Sequence, residues 1–271
     1  MLRSFLKTFE DTFYVEKYSA SAGLLQSIDP RVKIISTFAI VVTAVAARTM
    51  ISLSILLALV FGLAAAARIP LRFFLYRATV FVPLFAGIIT LPLLFITPGT
   101  PLVEIGIRPY IAVITVEGIY KAAQFFLRVW VCVASLTLLI LITRFSKVIQ
   151  AMDRLRVPSL FVTLTSVTFR SIFVLVDEAY RMVVARESRS VGKESRMEVL
   201  RSLASMVGTL FIRSYERGER VYMAMLARGY SGQLESMDYA KLRTRDFVFG
   251  LVILSICLAI FLLDFLHMGV A

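Results

Sequence analysis

Long apolar runs separated by short charged segments dominate this chain. Two short runs, about 33–47 and 50–67, are divided only by Arg48 and Thr49, which predicts a tight helical hairpin. A third run, about 79–97, contains Pro83 and Pro92. Each proline removes a backbone donor and is expected to kink or locally open the helix. The fourth extends from about 117 to 143, with Lys121 and Arg128 in its first half, and the fifth from 247 to 266. A helix needs roughly 20 mostly apolar residues to cross a hydrocarbon core of about 30 Å, so about five crossings are expected.

Between the fourth and fifth runs the pattern changes. Phe145, Val148, Ile149, Met152 and Leu155 recur at helical spacing with charges between them, predicting a short amphipathic helix at a membrane surface. Pro158 suits a first helical position and no proline follows it, so long helices are permitted. One is expected from 158 to about 190, stopped at Gly192, and a second from near Arg196 to Gly229. In the second, Arg228 falls in the last turn, where a cation complements the helix dipole, and Gly229 supplies a left-handed terminus. Each helix would be on the order of 45 to 50 Å long. Folding back through the "VGKES" turn would point their C-terminal ends in opposite directions, with Arg186 and Arg228 tens of Å apart. The stretch 157–176 is itself long and apolar enough to span, but it holds Arg170, and a mid-bilayer arginine costs at least about 2.5 kcal/mol. A helix packed against the inner face of the bundle is preferred over a further crossing.

Hydrophobic residues fill 59% of the 271 positions, well above the roughly 45 to 50% of soluble domains. The fold class expected is therefore all-α: a polytopic membrane protein with a cytoplasmic region of long helices. The net charge of +12 lies mostly in flanks and one polar block, which fits membrane orientation and not nucleic-acid binding. Residues 1–33 carry Arg3, Lys7, Lys17, Arg31 and Lys33, and the second loop Arg68, Arg72 and Arg77. The first loop has only Arg48 and the third only Arg108, so the N-terminus is expected on the cytoplasmic side of the cell membrane. Five crossings then leave 144–245 in the cytoplasm, with 18 Lys+Arg against 10 Asp+Glu, a surplus of eight out of the chain's twelve. The expected division is a four-helix bundle in 1–143, a cytoplasmic region of long helices in 144–245 and a final crossing in 246–271. The N-terminal stretch carries acids and no long apolar core, unlike a cleavable signal peptide, and Cys132 and Cys257 lie singly in apolar runs.

Few residues offer chemistry. Asp29 is a good helix cap, Pro30 a first helical residue, and Arg31 with Lys33 mark the inner membrane boundary. "VGKES" is not a phosphate-binding loop, which needs glycine where Glu187 stands, so ATP hydrolysis by that route is not expected. His267 is the only histidine and has no ligand cluster at helical spacing, so no metal site or cofactor is expected. Asp264, one turn before it, reads as an interface or pore-rim acid, and Glu117 as a helix N-terminal acid. Without gathered acids, histidines or nucleophiles, an enzyme is not expected. Ala58, Gly62 and Ala66 fall every fourth position and suit close packing, internally first or against a partner's helix.

Three stretches carry a family resemblance: "SIDPRVKI" (27–34), "VARES" (184–188) and "RSYERGERVYMAMLARGYSG" (213–232). Together they resemble the transmembrane component of energy-coupling factor transporters, most closely its cobalt/nickel branch, CbiQ. The resemblance implies two ATP-binding cassette ATPase subunits, docked on Ala185, Arg186 and Glu187 and on Ala227, Arg228 and Gly229. It further implies a substrate-capturing membrane subunit, with cobalt as the ion and nickel second. A vitamin-importing shared module of the same family is the alternative. Glu187 departs from the small third residue usual in the first motif, which leaves close packing there in question.

Overall fold

The computed structural model describes residues 25–270 apart from 68–69, 80–81, 98–99, 108–109, 190–194 and 233–242. At 71, 82–84, 93–96, 101–107, 110–114 and 265–270 it describes the backbone alone. The fold is that of an all-α membrane protein with one small β-hairpin. Its elements are α1 (Pro30–Ala46), α2 (Met50–Ala66), α3 (Leu71–Thr79), α4 (Val82–Ile96), β1 (Pro101–Ile107), β2 (Tyr110–Thr115), α5 (Val116–Ile142), α6 (Phe145–Arg154), α7 (Ser159–Arg189), α8 (Arg196–Ala227) and α9 (Thr244–Val270). The chain forms two compact units, one holding α1–α5 with α9 and the other α7 with α8.

Among the described helices, Val116–Ile142, Ser159–Arg189 and Thr244–Asp264 are long and apolar enough to cross a membrane. Helices α1 and α2 have 17 residues each and α4 has 15, roughly 23 to 26 Å. Two elements differ from expectation. The second loop holds α3, because Phe74 and Ala78, one turn apart, are both buried while Arg72 and Arg77 stay on the outer side. The third loop holds the antiparallel hairpin β1–β2, paired from Pro101↔Thr115 to Ile107↔Tyr110, where β-branched residues cluster. Arg108 lies outside the described residues, as does most of the "VGKES" turn.

The bundle core follows helical periodicity. Leu53, Leu56, Val60 and Ala64 of α2, with Ala67 at its C-cap, share one buried cluster with Ile40 and Ala44 of α1, Val131, Ala134, Leu138 and Leu141 of α5, and Ile253, Cys257 and Ile260 of α9. Phe61 packs edge-on against Phe74 and Trp130, with ring centroids 5.6 and 6.2 Å apart. The small residues Ala58, Gly62 and Ala66 are on the other face of α2 and exposed, and a Cβ added at Gly62 would meet nothing within 4 Å. Their expected packing inside the bundle is therefore not what the fold shows: the larger Leu53, Leu56 and Val60 take the buried face.

Polar contacts fasten the helix ends. Asp29 caps α1, accepting from the backbone N–H of Arg31 at 2.9 Å, with Pro30 following as the first helical residue. Lys33 is not at the surface but buried, donating to the carbonyls of Gln26 (3.3 Å) and Ile142 (3.4 Å), the latter at the C-terminus of α5. Arg128 of α5 returns the favour at the other end, donating to the carbonyl of Ala47 at 2.7 Å beyond α1. Each helix thus brings a cation to the negative end of the other. The α1–α2 hairpin turns at Arg48 and Thr49 as expected, with Thr49 capping α2.

The acids of α9 complete this fastening. Asp246 accepts from the backbone N–H of Asp29 (3.1 Å) and of Arg243 (2.8 Å). Asp264 is buried at the other end, accepting from the Arg48 N–H (2.8 Å), the Thr49 hydroxyl (2.6 Å) and the Ser52 hydroxyl (2.8 Å). It clamps α9 to the hairpin, a contact between helices, where its sequence position suggested an interface or pore-rim acid. Glu117 does start α5, and it accepts from the Thr100 N–H at 2.9 Å, tying the base of the β-hairpin to that helix.

Candidate functional site

The second unit is built from two long helices, 31 residues in α7 and 32 in α8, about 46 and 48 Å. Their bounds match the expected 158–190 and 196–229 within two residues. The start of α8 is fixed by a capping box: Ser195 takes the N–H three residues on, and Glu198 accepts from the Ser195 N–H at 2.9 Å. The first half of α7 is apolar and exposed, with Leu160 and Phe161 about 60% accessible.

The two Ala-Arg motifs occupy different helical positions. Ala227 is the last residue of α8, Arg228 its C-cap, and Gly229 follows with φ +80°. The Gly229 N–H donates to the Leu226 carbonyl at 3.0 Å and the Tyr230 N–H to the Met225 carbonyl at 3.0 Å, the paired bonds of a Schellman terminus. Glycine is needed there because a Cβ disfavours positive φ. Arg228 is thereby presented, exposed, at the tip of the helix. Ala185, Arg186 and Glu187 lie inside α7, which continues to Arg189, so the third position of this motif remains helical. Glu187 meets no left-handed requirement and is exposed, which is why glutamate is tolerated.

Arg186 is half-buried, and its Nε donates to the Ser202 hydroxyl of α8 at 2.8 Å. A second link joins Glu178 of α7 to Arg213 of α8 as an ion pair. Beside Arg186 an open groove of about 970 Å³ runs between the helices, its described lining including Arg181, Arg186, Arg189, Arg201 and Arg213 with Glu178 and Glu198. From Ser202 to Arg228 is about 26 residues of continuous helix, so the two motif arginines are held about 39 Å apart along α8.

The sequence reading missed Ser202 and the Glu178–Arg213 pair. Their only signal was register: both pairs straddle the segment between α7 and α8 almost evenly, as facing positions of two helices folded back on each other must. Asp29, Pro30, Arg31 and Lys33, expected at the inner membrane boundary, belong to the other unit, where Asp29 caps α1 and Lys33 donates to the last carbonyl of α5. Among the described residues no group of three or more His, Cys, Asp or Glu gathers as metal ligands. His267 is on α9, with its side chain outside the described positions.

Comparison with known proteins converges on one family. Residues 22–239 match the model of the cobalt transport protein family CbiQ. An uncharacterised protein of Methanocaldococcus jannaschii is 36% identical over 261 residues, covering 96% of this chain and 89% of its own length. The cobalt transport protein CbiQ of Rhodobacter capsulatus is 28% identical, over 69% of this chain and 71% of that protein. An energy-coupling factor transporter transmembrane protein, EcfT, of Listeria innocua is 27% identical over 84% and 89%. The two arginine-bearing helices lie wholly within the matched span, and the chain belongs to the CbiQ family of transporter membrane components.

Proposed function

We propose that this chain is the scaffold subunit of an energy-coupling factor importer, linking two cytoplasmic ATP-binding cassette ATPases to a substrate-capturing membrane subunit. The observation that carries the reading is the span of about 39 Å between Arg186 and Arg228 on a helix pair joined at two points. Two contact points so far apart suit two copies of a partner better than one small ligand. A guanidinium stays charged and binds carboxylates through two parallel donors, and the alanine before each arginine lets a partner backbone approach. Closure of the ATPases on ATP would move the two tips, and the continuous α8 would carry that motion as a rod. The N-terminus, the amphipathic α6 and the α7–α8 pair are assigned to the cytoplasmic side of the cell membrane by the distribution of Lys and Arg.

Cobalt is the proposed substrate, with nickel second, supported by the cobalt-named family and the cobalt-named relative. The ion would be held by the partner membrane subunit. A second reading, a scaffold shared among vitamin importers, is favoured by the EcfT-named relatives, one of which aligns over 93% of this chain.

The test is co-purification with the ATPase subunit. Arg186→Glu and Arg228→Glu should each weaken recovery, and the double variant should abolish it while membrane insertion is retained. Unchanged recovery in the double variant would remove the docking assignment, and uptake of Co2+ against Ni2+ by the assembled complex would decide the ion.

A further inference from the structure

We propose that Ser202 is a positioning residue that sets the pose of Arg186 for its partner. The inference rests on the docking role proposed above for Arg186. Other hydroxyls of these helices turn back onto their own backbone: Thr165 to Phe161, Ser171 to Val167, Ser188 to Val184 and Thr209 to Ser205, at 2.7 to 3.0 Å. Such back-bonding is the ordinary fate of a mid-helix serine or threonine. The bond described for Ser202 runs instead across the hairpin, to the Arg186 Nε at 2.8 Å.

Holding Nε has a specific consequence. Nε is the donor nearest the aliphatic stem, so fixing it sets the plane of the guanidinium and the direction of its two outer nitrogens. Arginine carries large rotamer entropy, and immobilising such a side chain on binding costs roughly two- to tenfold in affinity. The Ser202 contact settles that ordering before the partner arrives. It also fastens the Arg186 end of α7 to α8, the helix that ends at Arg228. The Glu178–Arg213 pair adds a second fastening, about 12 Å further along α7 and about 17 Å further along α8. Two fastenings at separated points fix the direction of one helix relative to the other, which a single contact cannot do. Ala185 and Ser205, both small, also line the groove beside the guanidinium.

The test is a double-mutant cycle on the full chain in lipid nanodiscs, titrated with the purified ATPase subunit of the same transporter. Ser202→Ala should weaken binding about two- to tenfold, and Ser202→Thr, which keeps the hydroxyl, should restore it. In an Arg186→Ala background, Ser202→Ala should add nothing. In an Arg228→Ala background, it should keep its full effect. Binding unaffected by Ser202→Ala, or lost equally in both backgrounds, would overturn the positioning role. Wild-type binding by Arg186→Ala would overturn the docking role itself, an outcome read separately from the other two.

Discussion

Removing the Asp264 carboxylate should detach the end of α9 from the α1–α2 hairpin. That carboxylate takes three donors, the Arg48 N–H at 2.8 Å and the Thr49 and Ser52 hydroxyls at 2.6 and 2.8 Å, in a buried position. A hydrogen bond to a charged group contributes about 1.5 to 3 kcal/mol net, and three would sum to more than a real site loses. Thr49 and Ser52 also lie 2.8 Å from one another and can satisfy each other when the acid is gone. The Arg48 N–H has no such recourse at a helix N-terminus. Asp264→Ala should therefore cost about 3 kcal/mol, near the loss of one well-made charged bond plus part of the others. For a chain of this size that is a fall of roughly 6 to 12 °C in melting temperature. Asp264→Asn keeps one acceptor but turns an amide donor toward an N–H, and should fall between. The assay is thermal unfolding of the purified protein in detergent, followed by the loss of the monodisperse species. A melting point within about 2 °C of wild type for Asp264→Ala would refute the clamp, and altered uptake at unchanged stability would return the residue to a role along the transport path.

Three further outcomes follow from the packing. Asp246→Ala should destabilise by about 1 to 2 kcal/mol through the Asp29 and Arg243 backbone donors it accepts. Its effect should add to that of Asp264→Ala, since the two acids are roughly 27 Å apart along α9, and strong non-additivity in melting would contradict independent clamps. Gly250→Ala would bring a Cβ to 2.9 Å from Val32 Cγ1 at the α1–α9 crossing, and should cost about 1 to 3 kcal/mol because valine in a helix has one strongly preferred rotamer. Val32→Ala should rescue it, and failure of that rescue would count against the close crossing. Arg156, two residues past the end of α6, has φ 62° within the same paired terminal bonds that Gly229 makes for α8, so Arg156→Gly should raise stability by about 1 kcal/mol in the same assay.

Much of the fold is written in local pattern. The bounds of α7 and α8 follow from Pro158, the absence of later prolines and the glycine at 229, because caps and breakers act on neighbouring backbone. The α1–α2 turn follows from two polar residues between apolar runs, and the cap at Asp29 from the Asp-Pro pair. The helix α3 escaped because its arginines mark it as loop and the hairpin β1–β2 because its strands are short, while the burial of Phe74 and the pairing of Ile107 with Tyr110 are acquired only against the rest of the chain. The candidate site divides in the same way. Arg228 at a helix tip was legible, since Ala-Arg-Gly is itself a terminus; Ser202 beneath Arg186 was not, since 16 residues and a turn separate the partners.

The sequence alone determined the membrane class, the long helices and the two arginine positions, because hydrophobic content, helix caps and breakers depend on residues close in the chain. Only tertiary structure decided that Lys33 and Arg128 cap each other's helices, that Asp246 and Asp264 bolt the last helix to the first, and that Ala58, Gly62 and Ala66 face outward. A buried charge needs a partner, and which distant backbone group supplies it is fixed by how the helices pack.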